Sequence, residues 1–145
     1  ALALRGLRTL GLRLRQSTAS ALQLAQWLSA RPEVARVLCP MLPGAPGHDL
    51  WLRDFTGGCG LLSFVLNNPD PAARARFIDG LSLFGIGFSW GGFESLVIPA
   101  DPGRIRTASH WPRGQLAVRL SVGLEDPADL IADLEGGFAA MGHEP

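Results

Sequence analysis

The stretch LAVRLSVGLEDPADLIADLEGGFAAM, residues 116–141, carries the clearest structural pattern in the sequence. Over residues 116–122 apolar side chains alternate with small or charged ones, which is the period-two pattern of a strand with one buried face. Asp126 and Pro127 then supply a helix N-cap and first turn, and apolar residues recur at helical spacing up to residue 141. A strand that leads directly into an amphipathic helix is typical of an α+β domain.

The segments upstream predict elements of the same two kinds. Apolar positions at helical spacing predict one long helix from about residue 4 to residue 30, which ends before Pro32. Strands are predicted at residues 34–39, 61–66 and 94–98, and a helix after the Asp70 N-cap. With no repeated strand–helix–strand unit, about four strands and three helices predict an antiparallel sheet with helices packed on one face.

Composition narrows the class of protein. The 145 residues include 13 acidic and 13 basic side chains, so no net field draws the chain to nucleic acid or to an anionic membrane. No apolar run is long enough to span a bilayer, and we expect a soluble, cytoplasmic protein. All the basic residues are arginine. Without a lysine, this chain by itself cannot supply the amine nucleophile that Schiff-base chemistry needs.

Cysteine and histidine give no sign of a metal or redox centre. Cys39 and Cys59 are too far apart for a CxxC motif, and free thiols are expected. His48, His110 and His143 lack metal-ligand spacing and are expected in loops or at the surface. No metal site is predicted, and no catalytic residue is assigned to this chain.

Arg119 is the first candidate for a binding residue, because it stands in the middle of the strand over residues 116–122. Its same-face neighbours, Ala117 and Ser121, are small and leave room above the guanidinium. A fork-shaped cation with space around it suits bidentate capture of a carboxylate. The alternative is a structural ion pair with Glu125 or Asp126.

A second candidate is the segment Ser89-Trp90-Gly91-Gly92. Two glycines after an aromatic residue let the backbone turn sharply and approach a ligand, and Trp90 could form the wall of a pocket. The alternative is an aromatic turn within the core. Nothing around Ser89 has the pattern of a nucleophile elbow.

Four stretches together resemble the C-terminal part of the cystathionine beta-lyases, a branch of the pyridoxal-phosphate-dependent family of cysteine and methionine metabolism. In chain order they are RGLRTLGLRLRQ, PGHDLWLRDFTGGCGLLSFVL, LSLFGIGFSWGGFESLVIP and VRLSVGLEDPADLIADLEGGF. The resemblance runs from about Arg5 to Met141. The third stretch is similar to the beta-lyase branch, since gamma-synthases and gamma-lyases of the family typically have leucine where Trp90 stands.

The resemblance implies a fold and a role for each part of the chain. Residues 1–30 would be the long helix that joins a large cofactor domain to the small C-terminal domain of a fold-type I enzyme, here residues 31–145. Arg119 matches the arginine that binds the substrate α-carboxylate, while Ser89 and Trp90 match the segment beside it. The family's cofactor lysine and its ring-stacking tyrosine are both absent, which fits a chain that begins downstream of the cofactor domain.

The implied activity is that of the complete enzyme. It is beta-elimination of cystathionine to homocysteine, pyruvate and ammonia, with pyridoxal 5'-phosphate held mainly by the large domain and four copies of the full-length chain in a homotetramer. Two alternatives stay open. One is a stand-alone, non-catalytic module that binds an anion or assembles with a partner, and the other is a family lyase that prefers another cysteine S-conjugate.

Overall fold

The computed structural model describes residues 1–142, which contain one five-stranded sheet and five α-helices. The helices are α1 (Leu2–Leu7), α2 (Leu10–Ser29), α3 (His48–Asp54), α4 (Pro71–Asp79) and α5 (Pro127–Met141). The strands are β1 (Val34–Leu38), β2 (Leu61–Leu66), β3 (Gly85–Ile86), β4 (Leu96–Ala100) and β5 (Ala117–Ser121). The α+β class is therefore confirmed.

The sheet has the strand order β1-β2-β5-β4-β3, and its pairs are antiparallel except for β3 with β4. The prediction of about four strands was one short, because β3 has only two residues in a glycine-rich stretch and carries no alternating pattern. β4 begins at Leu96, two residues later than predicted. The backbone N–H of Ser95 donates to the Glu125 side chain, not to a neighbouring strand.

Strand register separates a core face from an open face. Leu62 lies opposite Leu120, and Phe64 lies opposite Val118, and all four side chains are buried in the core. The core face packs on α2, α4 and α5, which confirms the prediction of helices on one face. Their buried side chains include Ala21, Leu24, Leu28, Ala73, Phe77, Leu130, Leu134 and Phe138. Arg119, one position along from Val118, is on the opposite face.

The predicted long helix is divided into α1 and α2 at Arg8 and Thr9. The Gly6 carbonyl, which in a continuous helix would accept the N–H four residues ahead, accepts instead from Thr9 N at 3.3 Å. It also accepts from Arg13 Nη2 at 2.7 Å. Thr9 and Arg13 thus compete with the helical donor for the Gly6 carbonyl. Because glycine is also a poor helix former, this competition can end α1. The prediction of one unbroken helix was therefore wrong at this point.

The leucines at the start of the chain are not buried, although their spacing predicted an amphipathic helix. Leu2, Leu4, Leu7, Leu10, Leu12 and Leu14 are between 43% and 81% exposed. The buried stripe of α2 begins only at Ser20. None of the described helices combines the length and the apolar character that crossing a bilayer would require.

Helix starts agree with the cap predictions. Asp70 accepts the backbone N–H groups of Ala72 and Ala73 ahead of α4, and Asp126 accepts that of Ala128 ahead of α5. Each cap satisfies N–H groups that have no partner within the helix. The cap at Asp126 fixes the start of α5 at Pro127, six positions after the last residue of β5.

Candidate functional site

Arg119 lies in the central strand β5, between Ser63 of β2 and Ile98 of β4. Its Nη2 atom donates to the carbonyl oxygens of Phe88 at 2.7 Å and Ser89 at 3.2 Å. Its Nε atom is buried and has no hydrogen-bond partner among the described residues. The guanidinium is thus held in place by neutral carbonyls while part of its donor capacity is unused.

The ion pairs that the sequence offered as an alternative for Arg119 are not formed. Glu125 accepts hydrogen bonds from Ser95, and Asp126 caps α5. Within residues 1–142 Arg119 forms no salt bridge. Arg119 Nε shares this state with Arg76 Nε, so among the described residues the feature that sets Arg119 apart is its bonding to two neutral carbonyls without an acidic partner.

Residues 88–95, which we call the Trp90 loop, cross the open face of the sheet beside Arg119. Trp90 is 63% exposed, so the alternative of an aromatic turn within the core was wrong. Gly91 has a φ of 78°, in the left-handed region that glycine adopts without strain. Its N–H donates to Ser121 Oγ at 3.2 Å. The loop therefore holds Ser89 against Arg119, with Trp90 as the next residue along the chain.

A cavity of about 300 Å³ adjoins the Trp90 loop. It lies between the start of α2, the segment before β2 and the turn after β5. Its lining residues include Leu10, Arg13, Leu14, Cys59, Trp90 and Leu124. Trp90 lines this cavity, whereas Arg119 and Ser89 do not, so the role of Trp90 as the wall of a substrate pocket stays a prediction.

One pair of residues at this site was missed by sequence reasoning. Glu125 Oε1 accepts the Ser95 backbone N–H and Oε2 accepts the Ser95 hydroxyl, both at 2.7 Å. The two residues are 30 positions apart, and neither belongs to a short motif. No local signal in the sequence could have joined them.

The histidines and cysteines of the described residues form no hydrogen bond with Arg119 or the Trp90 loop. The part of the chain that the structure describes contains no group of three or more His, Cys, Asp or Glu able to hold a metal ion. His48 Nδ1 lies 2.8 Å from the Pro40 carbonyl oxygen, and His143 lies outside the described residues. Cys39 and Cys59 are free, and burial raises the pKa of the Cys39 thiol. The predicted free thiols are confirmed.

Residues 1–139 match the family model described as Cys/Met metabolism PLP-dependent enzyme, where PLP is pyridoxal phosphate. The chain belongs to this family. The match covers every helix and strand described above up to the last turn of α5, and it agrees with the long helical start and the α+β sheet expected for a C-terminal domain of such enzymes.

Individual members of the family are similar over nearly the whole chain. Cystathionine beta-lyase MetC of Escherichia coli (strain K12) is 51% identical over 146 residues, which cover 94% of this chain and 36% of that protein. A putative cystathionine beta-lyase of Rhizobium johnstonii is 52% identical, with 94% and 35% covered. An L-alanine/L-glutamate racemase of Wolbachia pipientis wMel is 38% identical, with 97% and 35% covered. The chain thus spans about a third of the length of these relatives.

The residues present do not fit PLP by themselves. The sequence has no lysine, so this chain offers no side-chain amine to bind an aldehyde cofactor covalently. The polar groups gathered on the open face are the Arg119 guanidinium, the Ser121 hydroxyl and backbone groups of the Trp90 loop.

Proposed function

We propose that this chain is the C-terminal part of a PLP-dependent carbon–sulfur lyase that acts on cystathionine by beta-elimination, releasing homocysteine, pyruvate and ammonia. Family membership and about 51% identity to cystathionine beta-lyases support the proposal. PLP would be held mainly by a cofactor domain outside these residues. The contribution of this chain is to bind the substrate.

The single observation that carries the proposal is the state of Arg119. Its guanidinium is fixed by two loop carbonyls, its Nε is buried without a partner, and no carboxylate among residues 1–142 pairs with it. A fixed, uncompensated cation is what recognition of the α-carboxylate of an amino acid requires. Arg119 would hold the carboxylate and so fix the orientation of the substrate, which is an entropic contribution to catalysis.

Ser89 and Trp90 would complete the substrate-binding site. The Ser89 carbonyl accepts a hydrogen bond from Arg119. Ser89 and Arg119 are therefore close enough to border one ligand. Trp90 is largely exposed beside an apolar cavity and would cover the aliphatic part of a substrate. Residues of these types can bind a small zwitterion with an apolar, thioether-containing side chain.

The exposed leucines of α1 and α2 support the proposed domain organisation. Residues 1–30 would join the cofactor domain, residues 31–145 would form the C-terminal small domain, and the leucines would pack against the cofactor domain. A large exposed apolar patch marks a contact surface. We therefore expect the 145-residue chain expressed alone to self-associate, as measured by sedimentation velocity, and a stable monomer would contradict this organisation.

A cytoplasmic homotetramer completes the proposal for the full-length protein. The two free thiols fit a reducing compartment. Sedimentation equilibrium of the full-length protein would give the number of subunits, and cell fractionation would give its location. A monomeric or exported protein would contradict this part of the proposal without affecting the proposed reaction.

The test of the reaction is an assay of the full-length gene product with PLP. We expect cystathionine to give equal amounts of pyruvate and of free thiol. Alanine and glutamate serve as comparison substrates, because the Wolbachia relative carries a racemase name. Turnover of another cysteine thioether in preference to cystathionine would change the substrate, and racemisation without pyruvate would overturn the lyase assignment.

The gene sequence separates the lyase from the stand-alone alternative. An open reading frame upstream of the Ala1 codon that encodes a cofactor lysine and a tyrosine would support the proposal. A stop codon followed by a start site would indicate a separately encoded module that binds an anion or a partner, and the proposed reaction would then be wrong.

A further inference from the structure

The Trp90 loop is attached to the turn after β5 by a second set of hydrogen bonds, distant from Arg119. Glu125 accepts both the backbone N–H and the hydroxyl of Ser95, each at 2.7 Å. The Ser95 hydroxyl oxygen in turn accepts the Gly123 N–H at 2.9 Å. Ser95 is only 1% exposed. We call Ser95 and Glu125 the clamp.

The loop and the turn are in close backbone contact next to the clamp. Leu124 N donates to the Phe93 carbonyl at 2.9 Å. A Cβ atom on Gly123 would lie 2.2 Å from that same carbonyl oxygen and 2.6 Å from Glu125 Oε2. Only a glycine therefore allows the loop to approach this turn so closely. The position of the loop is set by the turn.

The Glu125 carboxylate is bonded to Ser95 within the clamp. Glu125 forms no ion pair with a basic side chain within residues 1–142. Both carboxylate oxygens accept from the one residue, and hydrogen bonds to an ionised acceptor are about twice as strong as neutral ones. Because the Glu125 carboxylate is bonded to Ser95, it helps to place the loop. It does not pair with the positive charge of Arg119.

We propose that Ser95 and Glu125 are positioning residues for substrate recognition, which fix the Trp90 loop so that Ser89 and Trp90 keep their place beside Arg119. The inference rests on the proposed function, because it assigns a purpose to the loop in that site. Ser95 and Glu125 hydrogen-bond to each other and to Gly123, and neither is bonded to Arg119 within residues 1–142. Both act through the backbone of the loop, whose two ends are bonded to the same strand-and-turn segment, residues 119–125.

The test compares Glu125→Ala and Ser95→Ala with Glu135→Ala in the full-length protein. Glu135 lies exposed on α5, so its variant matches the change in charge without touching the loop. Hydrogen–deuterium exchange of the peptide over residues 86–96 reports on the loop, and steady-state kinetics with cystathionine report on the site. Glu125→Gln keeps one carbonyl acceptor for the Ser95 N–H and is the conservative rescue variant.

We expect loop exchange to be faster in both clamp variants and KM to rise about 10-fold to 100-fold, with a smaller fall in kcat. Glu135→Ala should match the wild type, and Glu125→Gln should recover part of the loss. Wild-type exchange and KM in the clamp variants would overturn the inference, as would faster exchange spread evenly over the whole chain. A wild-type protein without lyase activity would refute the proposed function instead, while the exchange data would still decide whether the clamp holds the loop.

Discussion

Two arginines, Arg74 and Arg119, lie close to the same sheet but differ in their partners. Arg74 Nη1 donates to the carbonyl oxygens of Ala100 and Ala117 and to Asp101 Oδ1, at 3.4, 3.1 and 2.9 Å. Arg119 donates to two loop carbonyls and pairs with no carboxylate of the described chain. Among residues 1–142 the charge of Arg74 is paired with a carboxylate and that of Arg119 is not.

The difference shows how a structural arginine and a binding arginine can be told apart. Arg74 is 9% exposed and fastens α4 to the ends of β4 and β5, so its charge has to be paired inside the fold. Neutral carbonyls orient Arg119 but leave its charge available to a ligand. Removal of Arg74 should therefore affect stability, and removal of Arg119 should affect binding.

The largest effect is expected from Arg119→Ala in the full-length protein. Loss of charge-assisted hydrogen bonds to the substrate carboxylate should lower kcat/KM for cystathionine about 100-fold, or about 3 kcal/mol, with a higher KM and a lower kcat. Arg119→Lys should recover little, because an ammonium lacks the planar fork. Arg113→Ala is the control, since Arg113 lies exposed just before β5. Steady-state kinetics decide the matter, and unchanged values would remove Arg119 from the site.

A smaller effect, on stability and not on binding, is expected from Arg74→Met. Two carbonyls would lose their donor and Asp101 its partner, which should cost about 2 kcal/mol, less than for a fully buried pair because Asp101 is 39% exposed. Thermal unfolding compared with Arg113→Met would measure this cost. A raised KM with unchanged stability would abolish the distinction between the two arginines.

The smallest effect is a pH dependence of the Arg74 pair. The hydrogen bond from Arg74 lowers the pKa of Asp101 from its ordinary 3.8 and outweighs burial, which raises it. A lowered pKa in the folded state stabilises the fold above the unfolded pKa, and the gain is lost as the pH falls through the folded value. The stability difference between wild type and Asp101→Asn should therefore be constant near neutrality and shrink below about pH 4. A difference that grew toward acid pH would contradict this assignment.

Local patterns in the sequence were enough for most of the elements. The alternation over residues 116–122 predicted β5, and Asp70 and Asp126 predicted the starts of α4 and α5, because caps and strand periods depend only on neighbouring residues. The break at Thr9 was not predictable from apolar spacing. It depends on competition for the Gly6 carbonyl, to which the Arg13 side chain contributes.

Local sequence is enough to place Arg119 in mid-strand between small neighbours and to place Ser89 and Trp90 in a glycine-rich turn. That Arg119 and the turn meet is a property of the tertiary fold, because the bonds that join them connect positions about 30 residues apart. The same holds for Ser95 with Glu125, and for Asp133, which accepts three backbone N–H groups from residues 82–84. Side chains that hydrogen-bond to backbone groups far away in the sequence produce no periodic pattern. Their partners depend on how the loops cross the sheet.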